Sequence, residues 1–342
     1  MSTVLDRPGE PAAIVDRSHL DEYAHADLGR SLRSLSTSLL PFLVLWAAMF
    51  AVYDTSYWLV LLLAVPAAGF LVRTYIMFHD CVHGSLLSSR RGNAWLGTAL
   101  GLLVFTPFAR WRYEHLIHHA TASDLDRRFV GDVPMLTVAE YKAKPLYFRF
   151  GYRAYRNPLV MFGLGSIYST IIMQRFPNPT AKNRMQRSVW LTNLAVIVFV
   201  GLLCFAFGWQ TVLFVELPLV ILAGSVGIWL FYVQHQFDDT YWERTEEWSY
   251  NDAAVRGSSH LALPKVLQFF SGNIGFHHVH HLNPKIPNYN LQRAHEEQPM
   301  FRPVPSLSFT DALRAVQLKV WDEESRSMMT WKQARAVPTS ST

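Results

Sequence analysis

"YWLVLLLAVPAAGFLVRTYIMFHDCVH" occupies residues 57–83. It opens as an apolar run long enough, at 1.5 Å per helical residue, to cross a hydrocarbon core of about 30 Å. It closes on His79 and His83, four positions apart, so on a continuing helix both rings leave the same face. A span that ends in a pair of imidazoles raises two questions: how many more spans there are, and where the other rings lie.

Spanning helices are predicted at 37–53, 57–78, 189–209 and 211–233, paired as two hairpins. The turns inside the hairpins, "YDTSYW" and "FGWQT", are short, aromatic and free of Lys and Arg. "NAWLGTALGLLVFTPF" at 93–108 is too short to span, which predicts a re-entrant or interfacial helix, and Leu159 to Met173 reads the same way. The fold class that follows is an all-α integral membrane protein, with four transmembrane helices in two hairpins, interfacial helices and a cytoplasmic histidine-rich di-metal domain. A polar N-terminal segment at 1–35, a membrane domain at 36–294 and a tail at 295–342 complete the expected organisation. Within the first segment, Met1 to about Ala13 reads as a flexible leader, and no cleavable signal is expected because the start has no apolar core.

The totals agree with this reading: half of the 342 residues are hydrophobic and only 17% are charged. A net charge of +5 raises the question of nucleic acid, and the placement of the cations answers it. None lies between Arg33 and Arg73 or between Arg187 and Arg244, whereas fifteen fall between Thr74 and Ser188. By the positive-inside rule the N-terminus, central segment and tail face the cytoplasm, and anionic lipid heads account for the basic balance without DNA. Arg73 and Glu216, near span ends, are expected to snorkel toward the headgroups. Cys81 and Cys204 form no C-x-x-C pair and read as packing residues.

Fourteen histidines occur, nine of them in three groups placed just beyond apolar segments on the same predicted side. "HDCVH" supplies His79 and His83. "HLIHH" supplies His115, His118 and His119, which spacings of three and four put on one helical stripe. "HHVHH" repeats that spacing with His277, His280 and His281, and turns His278 away. His235 stands alone in "YVQHQFDDTYW" but at the same depth. One zinc ion takes three or four protein ligands, so this supply suits two ions, and imidazole alone does not choose among Fe, Zn, Cu and Ni.

These groups resemble the histidine boxes of the membrane fatty acid desaturases: H-x-x-x-H, H-x-x-H-H and a late H-x-x-H-H, interleaved with two membrane hairpins. The stretches "WRYEHLIHHATASDLDRR", "GDVPMLTVAEY", "WLFYVQHQFDDTYWER" and "GNIGFHHVHHLNPKIPNYNL" look like the bacterial acyl-lipid branch of that family. The resemblance implies that His79, His83, His115, His118, His119, His277, His280 and His281 ligate two irons, with His235 as the additional ligand from the last span. It also implies dioxygen as co-substrate, an acyl lipid as substrate and an external electron donor such as a ferredoxin. A bacterial inner membrane is the implied location. Val82 departs from the Gly often found at that place in the first box and touches no ligand position. His278 falls on a variable position.

Abstraction of hydrogen from an unactivated methylene exceeds what side chains do unaided, so a metal centre must carry the step. Asp80, Asp124, Asp132, Asp238 and Asp239 are candidates to orient the rings, and Asp238 and Asp239 are favoured because they follow closely on His235. The boxes do not separate desaturation from hydroxylation, epoxidation or triple-bond formation. A transition-metal transporter is the remaining class, disfavoured because its ionisable groups would sit inside the spans.

Overall fold

A computed structural model describes residues 17–177 and 181–338; the expected leader at Met1–Ala13 lies outside the described residues. Four helices are long and apolar enough to cross a membrane: Leu28–Val52, Tyr57–His83, Asn183–Phe207 and Trp209–His235. They are the four predicted spans, each lengthened at the end away from its hairpin turn. The helices therefore run past the apolar stretch to the level of the histidines.

Capping and pairing explain the extra turns. Asp27 caps the first helix by accepting from the Arg30 backbone N–H. The polar residues that follow are buried because they are bonded: Ser31 donates to the Leu86 carbonyl at 2.5 Å and Ser38 to the Ser34 carbonyl at 2.6 Å. The second helix continues to His83 and stops at Gly84, whose φ of +67° is open to glycine at little steric cost. A single residue, Gly208, turns the second hairpin.

Along the spans the outer faces carry exposed apolar side chains such as Val44, Leu62, Ile197 and Phe205. In Asn183–Phe207 only Val189 is buried, so nearly the whole helix surface faces away from protein. Such a surface is stable against lipid and costly in water.

Arg73 and Glu216 do not snorkel. Arg73 is buried, donates to the Phe269 carbonyl and lies over the Phe269 ring with its guanidinium carbon 4.1 Å from the centroid. Glu216 accepts from Trp46 Nε1 at 2.7 Å. Each polar head finds an internal partner on a neighbouring segment, which removes the need to reach the headgroups.

The predicted short helix at 93–108 is realised as Arg90–Leu103, after which the chain turns through 103° into Phe108–Thr121. Glycines make this corner possible: a Cβ at Gly97 would lie 2.2 Å from the Phe108 ring, and one at Gly101 would lie 2.5 Å from the Thr106 carbonyl oxygen. The corner gives the second histidine box a helix of its own. The other predicted short helix is present as wide π turns at Leu159–Leu164 and Tyr168–Ile172 around Gly165–Ile167.

Two small sheets were not anticipated in an otherwise helical chain. Leu136–Thr137 pairs in parallel with Leu318–Asp322, which pairs antiparallel with Ser327–Thr330. His260–Ala262 pairs in parallel with Ser306–Ser308. Through these pairings the tail folds back, and Phe301 and Trp321 enter the same core as Phe78, Val82, Tyr232 and Val279.

Candidate metal centre

The nine expected rings arrive from four directions. His79 and His83 sit on the last turn and a half of the second span, His115, His118 and His119 on Phe108–Thr121, His235 at the last residue of the fourth span, and His277, His280 and His281 on the short helix His277–Leu282. All nine are buried.

They meet as two groups. His79, His83, His115, His119 and His280 form one, and His118, His235, His277 and His281 the other; in each group one nitrogen from every ring lies within 4.8 Å of all the rest. The H-x-x-H-H boxes are shared in opposite senses. His115 and His119, four apart, serve the first group while His118 serves the second; His277 and His281 serve the second while His280 serves the first. The three rings of each box leave one side of their helix, and the two edges of that stripe contribute to the two different groups.

The nitrogens converge closely. In the first group His119 Nε2 is 3.1 Å from His115 Nε2 and 3.0 Å from His280 Nε2. In the second, Nε2 to Nε2 distances are 2.9 Å for His277 and His235, 3.1 Å for His281 and His277, and 3.3 Å for His118 and His281. An Nε2–H points one way only, so a ring facing two others cannot satisfy both. An ion about 2.1 Å from two nitrogens at right angles holds them about 3.0 Å apart, which is the separation found. Burial first, and then the neighbouring rings, hold His277, His280 and His281 well below the ordinary histidine range. They are neutral, the form that binds metal. The donor set thus fits two metal ions.

Outer contacts fix several rings. Asp132 Oδ1 lies 2.5 Å from His118 Nδ1, and the Gly257 carbonyl accepts from His235 Nδ1 at 3.0 Å. With Nδ1 engaged, Nε2 is the atom left to face the centre. Trp111 stacks on His115 with centroids 4.3 Å apart and planes 17° apart. Asp80 accepts from the Asn288 backbone N–H at 2.9 Å and from Asn288 Nδ2 at 2.7 Å, tying the first box to the segment after the third.

The expectation for Asp238 and Asp239 is not met. Both are exposed, and among the described residues neither hydrogen-bonds to a ring. The chain leaves the span after His235 and turns them outward. Asp124 is buried but accepts from Arg127 and Thr245 instead. Gly257, Trp111 and Asn288 were not foreseen. Trp111 carried a signal, since it precedes His115 by one helical turn; the other two are tertiary contacts with no local pattern. His278 faces elsewhere, its Nε2 2.9 Å from His295 Nδ1. Cys81 and Cys204 are both free thiols.

Two cages of imidazole at the ends of apolar helices define a membrane protein equipped to hold a pair of metal ions. The fatty acid desaturase family profile matches residues 55–305, and the chain belongs to that family, whose members are oxidoreductases. It is 44% identical over 318 residues to a fatty acid desaturase of Bacillus subtilis, covering 93% of this chain and 90% of that one. Two Synechocystis proteins are more distant. An sn-1 oleoyl-lipid 12-desaturase is 27% identical across 66% of this chain and 64% of its own length. An sn-1 acyl-lipid omega-3 desaturase (ferredoxin) is 26% identical across 65% and 62%.

Proposed function

We propose that this protein is a dioxygen-dependent di-iron desaturase that introduces a double bond into an acyl chain of a membrane lipid. The carrying observation is the convergence of nine buried imidazoles into two ion-sized groups. His79, His83, His115, His119 and His280 would hold one iron and His118, His235, His277 and His281 the other. The irons, when bound, supply the activation of dioxygen that lets hydrogen be removed from an unactivated methylene.

The chain's own residues do the rest. Asp132 and the Gly257 carbonyl keep the protons of His118 and His235 on Nδ1, leaving Nε2 free toward the centre. Close packing around Trp111, Phe78 and Phe108 keeps bulk water away from the first group. Electrons come from an external donor; the name of one Synechocystis relative supports a ferredoxin. The clustering of Lys and Arg in the segments outside the spans supports an inner-membrane location with termini and site on the cytoplasmic side.

Expression in a host with simple lipids, followed by mass spectrometry of its acyl chains, tests this reading. Loss of two hydrogens from a lipid acyl chain is the expected product. Gain of one oxygen would assign hydroxylation instead, and metal flux across vesicles with unchanged lipids would assign a transporter.

A further inference from the structure

Beside the first ring group lies a cavity of about 420 Å³ that no step above uses. His83 is at one side, and Cys81, Ala94 and Phe108 contribute apolar wall. Arg90, Arg112 and Lys285 stand round it, all three exposed, and no carboxylate is among the lining residues. Three cations from three separate segments therefore border one concave, partly apolar space without a counter-charge. Such a space is suited to an anion attached to something apolar.

The cations are held in place but not consumed. Lys285 donates from Nζ to the His83 carbonyl at 2.6 Å, and Arg112 from Nε to the Val82 carbonyl at 3.0 Å. These bonds satisfy carbonyls at the end of the second span. They leave two protons of the Lys285 ammonium and both terminal nitrogens of Arg112 unbonded among the described residues. Arg90 makes no hydrogen bond or ion pair among the described residues. Its helix, Arg90–Leu103, exposes Trp95 and forms half of the bent apolar pair, features suited to a place at headgroup depth.

Resting on the desaturase reading above, we infer that this cavity is the headgroup subsite, where Arg90, Arg112 and Lys285 receive the phosphodiester of a phospholipid substrate. Arginine and ammonium donors suit phosphate oxygens. The apolar wall suits the start of an acyl chain, and His83 places that start next to the first ring group. A concave space of this size takes a small group and does not fit the convex surface of a protein electron donor.

The test titrates purified, metal-loaded protein in neutral detergent with dihexanoylphosphatidylglycerol, with dihexanoylglycerol, which lacks the phosphate, and with inorganic phosphate. The phospholipid is expected to bind in a salt-sensitive manner, inorganic phosphate to compete with it at higher concentration, and dihexanoylglycerol to bind much more weakly. Arg90→Gln, whose parent residue makes no internal bond, and Lys285→Gln should each weaken the phospholipid about tenfold or more. Lys285→Arg should restore most of that loss. Equal affinity for the two lipids would overturn the inference. So would variants that leave the phospholipid untouched while raising the KM for an acidic donor protein, or a site that takes inorganic phosphate and no phospholipid. Iron content and product formation on the same samples judge the desaturase reading separately. A chain that binds phospholipid but neither iron nor dioxygen-dependent turnover would sink that reading and leave the anion site standing.

Discussion

His118 and Asp132 show what the residue scale decides. His118 belongs to the second ring group, and its far nitrogen is 2.5 Å from Asp132 Oδ1. Removing a carboxylate that orients a metal-binding histidine lowers metal affinity by roughly 10- to 100-fold. Asp132→Asn is therefore expected to lower iron affinity by that factor, and Asp238→Asn to leave it unchanged, both read by equilibrium iron titration. His118→Ala should abolish iron in the second group. Lys319 offers a second test, on stability. Burial, with the Arg156 charge adding, pushes its amine down to about 8 from an ordinary 10.5. The unfolded chain then binds more protons between those values, so this residue's cost is full below pH 8 and is relieved as pH rises toward 10.5. Thermal midpoints in detergent should climb across that window in the wild type more steeply than in Lys319→Met. All nine converging rings were legible in the sequence because spacings of three and four and a common depth are local signals. Asp132 was one candidate among five, because its contact spans fourteen positions of irregular chain that no periodicity describes.

Among the elements, the short helix His277–Leu282 carries three rings on six residues, so its placement depends on what precedes it. Gly275 sits against His260–Ala262: Leu261 donates its backbone N–H to the Gly275 carbonyl at 2.8 Å, and a Cβ on Gly275 would lie 2.5 Å from the Leu261 carbonyl oxygen. Gly275→Ala must push the strand or the helix aside, at a cost of about 1–3 kcal/mol by the scale of overpacking. Lower thermal stability together with reduced iron in both groups is the expected result, since this helix serves both. The spans were legible from hydropathy, but their remote ends were not. Ser31 and Ser34 read as polar and outside the membrane, yet they are buried with hydrogen-bond partners that only the folded chain provides. The 103° corner was missed for a similar reason: it depends on Phe108 seating against Gly97, a contact between helices.

At the scale of the whole molecule, two hairpins and a tail are gathered round one end of the bundle. His79, His83 and His235 sit at the ends of their spans away from Ser56 and Gly208, and the other six rings, on Phe108–Thr121 and His277–Leu282, converge on those ends. The hairpin turns and the termini are expected on opposite faces of the membrane. Single cysteines placed at Thr55 and at Gln210 in a Cys81→Ala, Cys204→Ala background should react with an impermeant thiol reagent from the outside of intact cells, and one at Ser325 only after lysis. The parallel pairing of residues 136–137 with the tail had no sequence signal, because strands of two to five residues barely exceed a turn in length and were not distinguishable from loop. The most direct test of the central claim is Mössbauer spectroscopy of the purified full-length chain loaded with iron-57. The account predicts two irons per chain, one for each ring group, with the first group's iron lost in His280→Ala. A single isolated iron in the wild-type chain, or full occupancy of both positions in that variant, would contradict it.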